Sequence, residues 1–165
     1  MNMFPRIFTL RCILDSITGG EYSILEEIFE DPQTKRFLPE IYELIDKPDG
    51  VQTFISVFDH YHDNDQGILW GIYNNEALLG FVAVMDLPEN PTLFYAMHSK
   101  ARSRGYMKES VSYIIDYLRK NQLYAKQIYS DVYKDNYASM NILKDLGFVI
   151  HTEDDKKIYM SLSLA

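Results

Sequence analysis

Residues 68–98 hold three strand-length apolar runs in close succession, and few folds accommodate such a block. The runs 68–73, 77–85 and 92–98 are rich in β-branched and aromatic residues. Asn74-Asn75 separates the first two and reads as a hairpin turn, because Asn tolerates the positive φ that tight hairpins need. Pro88, Asn90 and Pro91 mark the next turn. Beyond residue 100 the period changes from two to that of a helix. From Gly105 to about Asn121, Met107, Val111, Ile114, Ile115 and Leu118 form one stripe. A strand at 126–133 and a helix at 136–146, stopped by Gly147, come next. Two strands, 148–151 and 157–164, close the chain around the acidic turn Glu153-Asp154-Asp155.

The first third is mostly helical. Residues 7–13 read as one strand around Arg11, and Gly19-Gly20 breaks it from a helix at 21–30. Asp31 is placed to cap a short helix with Pro32 at its first position, running toward Phe37 and Leu38. Residues 39–48 are ambiguous. Asp49-Gly50 then opens a helix with Val51, Phe54, Ile55, Phe58 and Tyr61 on one face, ending in the polar run His62-Asp63-Asn64-Asp65. The order is strand, helices, three strands, helix, strand, helix, two strands. It describes a mixed α/β domain, antiparallel first and with crossover helices later. At 165 residues the chain reads as one domain, 1–165.

Composition removes several classes of function. Apolar residues make up 47% and aromatics 14%, too many for a disordered chain. Cys12 is the one cysteine, so no internal disulfide and no cysteine zinc cage is expected. No apolar run is long enough to span a bilayer, and residues 1–10 lack a charged-then-apolar signal pattern. A cytoplasmic protein without a membrane partner is the expectation. The net charge of −8 argues against nucleic-acid binding, which needs a basic footprint. Against that acidic background Lys100, Arg102, Arg104 and Lys108 crowd together with no acid between them, as an anionic ligand would require.

The stretch Arg102-Ser-Arg-Gly-Tyr-Met-Lys-Glu-Ser110 joins a strand to a helix, with Gly105 at the helix start. Glycine there lets a ligand approach the backbone. The first-turn amides of a helix have no internal acceptors, and their dipoles sum to a phosphate cradle. The plainer alternative is a glycine-capped helix with exposed basic residues. The stretch is neither a P-loop nor a three-glycine dinucleotide turn.

Arg102-x-x-Gly105-x-Met107 resembles the acetyl-CoA signature of the GNAT N-acetyltransferase superfamily, Arg/Gln-x-x-Gly-x-Gly/Ala. Gly105-Tyr-Met-Lys-Glu109 and Thr9-Leu10-Arg11 are similar to the branch that includes the ribosomal-protein N-terminal acetyltransferases. Asn136-Tyr-Ala-Ser139 followed by Leu146-Gly147-Phe148 resembles the family's second motif. The resemblance covers nearly the whole chain. It implies a mostly antiparallel sheet of about seven strands, splayed in the middle, with helices on both faces. It implies acetyl-CoA as co-substrate, no metal, and pantetheine lying in the splay. Met97 and His98 would meet the pantetheine and the acetyl carbonyl. The amides of Ser103, Arg104, Gly105, Tyr106, Met107 and Lys108 would hold the pyrophosphate, with Arg102 beside them. Asn136 would contact the arm, unless it is merely a helix cap.

The chain departs from the family at three points. Met107 replaces a Gly or Ala. Leu143 stands where many members have a catalytic Tyr, four residues before Gly147. Thr92 aligns with the branch's usual Glu. The resemblance leaves Ser139 to serve the departing thiolate, and Asp131, five residues before Asn136, as the base. Strand alternation puts Tyr129, Asp131 and Tyr133 on one face, where Asp131 is either a base lining the acceptor cleft or a solvated strand end.

Elsewhere the candidates are weaker. His60 and His62 are two apart and do not face each other on a helix. The run 63–67 puts His62 at the first ligand position of a calcium loop, so it reads as a solvated turn. Cys12 reads as core. The expected function is N-acetylation of a primary amine, a small molecule or a protein N-terminus, by a monomer or homodimer. A non-catalytic acyl-CoA-binding module is the alternative.

Overall fold

The computed structural model describes residues 3–121 and 125–165. Met1 and Asn2, the start of the segment read for a targeting signal, lie outside the described residues. The strands are β1 (Ile7–Phe8), β2 (Ile13–Asp15), β3 (Ile68–Asn74), β4 (Ala77–Met85), β5 (Thr92–Met97), β6 (Gln127–Tyr133), β7 (Val149–Glu153) and β8 (Lys157–Ser163). The helices are α1 (Tyr22–Glu30), α2 (Pro32–Phe37), α3 (Tyr42–Ile45), α4 (Gly50–Asp63), α5 (Tyr106–Lys120) and α6 (Tyr137–Asp145). They build one eight-stranded sheet in the order β1-β2-β3-β4-β5-β6-β8-β7. No helix among the described residues is long and apolar enough to cross a membrane.

Strand alternation sends side chains to two cores. Trp70, Ile72, Val82, Val84 and Leu93 face one side, where the α5 stripe Met107, Val111, Ile114, Ile115 and Leu118 and the α6 residue Leu143 cover them. Leu69, Phe81, Ala83 and Ala96 face the other, under Leu25, Ile28 and Phe29 of α1 and Val51, Phe54, Ile55 and Phe58 of α4. Fully burying one such large apolar side chain contributes roughly 1.5–3 kcal/mol, so both predicted helical stripes are strong anchors.

Two local readings are corrected, and one segment left open takes a definite form. Residues 7–13 form a hairpin rather than one strand, which raises the strand count above the expected seven. Within it, Thr9 N donates to Cys12 O (2.9 Å), and Cys12 N donates to the Thr9 hydroxyl (2.9 Å). Polar turn groups can interrupt this apolar run because Glu109, far along the chain, accepts from the Thr9 hydroxyl (2.6 Å) and from Arg11 N (2.8 Å). Second, the β3–β4 turn sits one residue later than expected. Asn75 (φ 48°) and Glu76 (φ 68°) are its left-handed residues, and Asn74 pairs with Ala77 after a register shift at Ile72/Tyr73. The ambiguous segment forms a 3-10 turn, Pro39–Ile41, followed by α3. As expected, Asp31 caps α2, accepting from Gln33 N at 2.8 Å.

The sheet opens in its middle. β4 and β5 stay paired antiparallel from Gly80↔Met97 to Met85↔Thr92. The parallel neighbours β5 and β6 share, among the described residues, one register pair, Thr92↔Tyr129. Past that point they diverge, which is the expected splay.

Candidate active site

The splay leaves β5 with a free inner edge. His98 N donates to Leu79 O (2.8 Å), so in this antiparallel ladder the intervening Met97 and Tyr95 turn their backbone groups away from β4. Leu93 has the same orientation, and its carbonyl accepts from the Ser130 hydroxyl of β6 (2.9 Å). Beyond Leu93 no strand among the described residues continues the pairing. A cavity of about 530 Å³ fills this gap, and Tyr95, Met97, Gly105, Asp131, Asn136 and Ser139 are among its walls.

One end of the cavity is the start of α5. Ser103 (φ 63°) and Gly105 (φ 81°) are both left-handed, which curls the loop so that successive amides converge. The first helical bond of α5 is Glu109 N to Gly105 O (3.1 Å). The amides of Tyr106, Met107 and Lys108 therefore have no acceptor within the helix. The arrangement fits a phosphate group: concentrated N–H donors, a helix dipole and no Cβ at Gly105. A Cβ at Gly105 would meet Arg11 Nη2 at 3.3 Å and would sit on a backbone that L side chains rarely adopt.

The loop is braced from behind. The Arg11 guanidinium donates to Arg104 O (2.9 Å) and Glu109 Oε1 (2.8 Å), and lies 4.3 Å over the Tyr106 ring. Partial burial opposes ionisation of Glu109. The hydrogen bonds from Thr9 and Arg11, with the charge of Arg11, outweigh it and hold the carboxyl below the usual glutamate range. The stability it contributes is thus complete above the ordinary Glu pKa and is lost as pH falls through the lowered one. Glu109→Ala leaves the Thr9 hydroxyl and Arg11 amide without their acceptor. It should cost about 1–3 kcal/mol at neutral pH, read by denaturant unfolding; an unchanged midpoint would remove the brace from the stability argument.

The basic residues are more committed than the sequence suggests. Arg102 donates to Asp31 (3.1 Å) and Gln33 (3.0 Å), and Lys108 pairs with Asp145 (3.2 Å). The acids that hold them lie on other elements, out of sight of the local charge count. The Arg104 guanidinium is unpaired among the described residues. His98 also stands apart from the cavity: its N–H goes to Leu79, its carbonyl accepts from Ala101 N (2.9 Å), and its Nε2 meets Glu27 at 2.8 Å.

At the other end, Asn136 is the N-cap of α6, its Oδ1 accepting from Ser139 N (3.3 Å). This is the capping role, and Asn136 is also among the residues that line the cavity. The Ser139 hydroxyl lies 2.5 Å from the Tyr95 hydroxyl. Leu143, one turn further along α6, is fully buried in the core. On β6, Ile128, Ser130 and Val132 are buried, while Asp131 shares the opposite face with Tyr129 and Tyr133. The Asp131 side chain reaches solvent, yet the surrounding protein desolvates its carboxylate and raises its pKa. Lys157 opposes that shift, and Glu40 and Asp154 reinforce it. Glu40 is itself engaged by Lys157 and by the Tyr133 hydroxyl (2.9 Å).

The sequence carries no local signal for Tyr95 or for the α2 residues Gln33 and Thr34 as cavity walls. Gln33, Thr34, Phe37 and Leu38 border the cavity, and among the described residues the Thr34 hydroxyl is buried without a partner. A strand tyrosine in a chain with 13 of them carries no local signal. Phe37 and Leu38 reach the cavity from the segment that leads out of α2, whereas the β4–β5 turn at residues 86–91 does not border it.

The acetyltransferase (GNAT) domain model matches residues 11–149. The chain belongs to the GNAT acetyltransferase family. A comparison with curated protein sequences finds no match. Among solved structures, this GNAT chain is similar to RimL, a ribosomal-protein alpha-N-acetyltransferase in complex with coenzyme A. That pair has a TM-score of 0.83 at 10% identity, over 96% of this chain and 98% of that one. A ribosomal-protein-alanine acetyltransferase from Vibrio fischeri aligns with TM-score 0.74 and 16% identity over 96% of both chains. Spermidine N-acetyltransferase from Vibrio cholerae, in complex with CoA and spermine, aligns with TM-score 0.74 and 11% identity over 93% and 96%. At these identities the structural likeness speaks for the fold, and the family match speaks for the domain.

Proposed function

We propose that this GNAT domain transfers an acetyl group from acetyl-CoA to a primary amine by direct attack. The observation that carries the reading is the free edge of β5 at Tyr95 and Met97, which shares one cavity with the acceptorless amides of α5. Acetyl-CoA supplies an acyl group already activated as a thioester. The chain's task is therefore to position, to take a proton and to stabilise charge. The amides from Ser103 to Lys108 hold the pyrophosphate, with the Arg104 guanidinium, unpaired among the described residues, beside them. The Met97 backbone amide polarises the acyl carbonyl, as an oxyanion donor does. Asn136 steadies the pantetheine from the α6 side. Asp131 takes a proton from the incoming ammonium, and Ser139 faces the leaving sulfur. The new C–N bond forms as the C–S bond breaks, the sulfur leaving with the electron pair.

The acceptor is a primary amine on a small molecule or at a protein N-terminus. The structural relatives include enzymes named for each kind.

Two measurements test this. At 100 times its dissociation constant a ligand adds about 2.7 kcal/mol to stability. For a chain of this size that is a rise in Tm of about 5–10 °C with CoA or acetyl-CoA. Thiol release is then followed across a panel of amines and N-terminal peptides. No thermal shift would remove the cofactor assignment. A shift without thiol release from any acceptor would make the domain an acyl-CoA binder instead.

A further inference from the structure

We propose that Tyr95 is a positioning residue that fixes the direction of the Ser139 hydroxyl proton, leaving it free to meet negative charge at the sulfur end of the cavity. The inference rests on the acetyl-transfer reading for its chemistry, but its geometry stands alone.

The two hydroxyl oxygens lie 2.5 Å apart, 44 residues apart in sequence, and both side chains line the cavity. Either oxygen is able to donate in such a pair, and acidity decides between them. A phenol, with a pKa near 10, is far more acidic than an aliphatic alcohol, so the lower-energy arrangement has Tyr95 donating and Ser139 accepting. Burial pushes the Tyr95 phenol up to about 12, so it stays protonated and available as a donor throughout the working range. A helical serine ordinarily turns its proton back on the preceding turn's carbonyl. Ser139 makes no such bond among the described residues. Its backbone N–H is taken by Asn136 Oδ1 at 3.3 Å. With a lone pair occupied by Tyr95, the Ser139 O–H is left pointing elsewhere, and the donation it receives strengthens the donation it can make.

In the transfer step the amine nitrogen bonds to the acyl carbon and the sulfur departs with the C–S electron pair. The Ser139 O–H donates to that sulfur. Tyr95 keeps its proton. The ammonium's protons leave through Asp131 to solvent, and the thiolate takes its proton from water. Charge and protons balance without an ionised tyrosine. Leu143, buried in the core at the position where a tyrosine acid is usual in the family, contributes nothing polar here. The polar function has instead a hydroxyl on α6 oriented by a phenol on β5.

Tyr95→Phe keeps the ring and removes the donor. We expect kcat to fall roughly tenfold, the size of one oriented hydrogen bond, with the KM for acetyl-CoA and the CoA-induced thermal shift unchanged. In a Ser139→Ala background the same change should have no further effect. A second readout does not depend on turnover: the thiol pKa of bound CoA, followed by the ultraviolet absorbance of its thiolate. Tyr95→Phe should raise that pKa, and a ring-fluorinated, more acidic tyrosine at position 95 should lower it. Wild-type kcat together with an unmoved thiol pKa in Tyr95→Phe would overturn the proposal. So would additive losses in the double variant, which would mean that Tyr95 acts independently of Ser139. If the wild-type protein binds CoA but acetylates nothing, acetyl transfer fails, while the thiol titration still decides whether Tyr95 orients Ser139.

Discussion

Asp131→Asn is expected to lower turnover by roughly 10²–10⁴-fold at mildly acidic pH, and by progressively less as pH rises. An ammonium cannot attack a carbonyl until it loses a proton, and Asn cannot take one. The Asp131 carboxylate stands above the usual aspartate pKa, because its surroundings desolvate it and Glu40 and Asp154 lie nearby, with Lys157 acting the other way. The wild-type rate should therefore fall off as pH drops through that raised value. The variant's rate should instead follow the fraction of free amine delivered by solution. The rescue also reports on the acceptor. An α-amine titrates near 8 and a lysine-like amine near 10.4, so the pH at which Asp131→Asn approaches wild type separates the two. The check is a pH–rate profile of both proteins with one accepted amine. A constant ratio across pH would remove Asp131 as the base.

Ser139→Ala should cost roughly 10²–10³ in kcat, the loss seen when one preorganised donor to developing charge is deleted. Ser139 lies in the first turn of α6, so a negative sulfur there meets an oriented hydroxyl and the positive end of a helix dipole. Alanine is a good helix former and keeps the backbone amide that Asn136 caps, so stability and CoA affinity should stay close to wild type. Single-turnover and steady-state rates, with CoA binding measured separately, make the test. A fall in CoA affinity matching the fall in rate would make Ser139 a binding residue. An unchanged kcat would leave departure of the thiolate to the backbone alone.

Both residues enter through the family resemblance: Asp131 by its spacing five residues before Asn136, with strand alternation within β6 in support, and Ser139 by a motif whose cap, helix and stop at Gly147 are all local. The two stripes of α4 and α5 were equally plain, since a helical period needs no distant partner to be read. What escaped was held together across the chain. The turn at Thr9–Cys12 exists because Glu109, 98 residues from Arg11, satisfies its donors. Arg102 and Lys108 looked like free cations because Asp31 and Asp145 belong to other elements. Tyr95 carries no mark of its own. Its role comes from an edge left open by the divergence of β6, which no local pattern encodes.

That divergence also has a mechanical side. With one register pair between β5 and β6 among the described residues, the sheet divides into two plates, β1–β5 and β6–β8, joined at Thr92 and Tyr129 and fastened nearby by the Ser130–Leu93 bond. α5 carries the chain from the first plate to the second, and its start walls the same gap. A molecule that bonds to Tyr95 or Met97 on one plate and to Asn136 or Ser139, reached through β6, on the other would act as a strut across the wedge. The angle between the plates would then be set by the occupant rather than by the polypeptide. The distance from a group carried on β5 to one carried on β6 is, in this architecture, a property of the loaded protein.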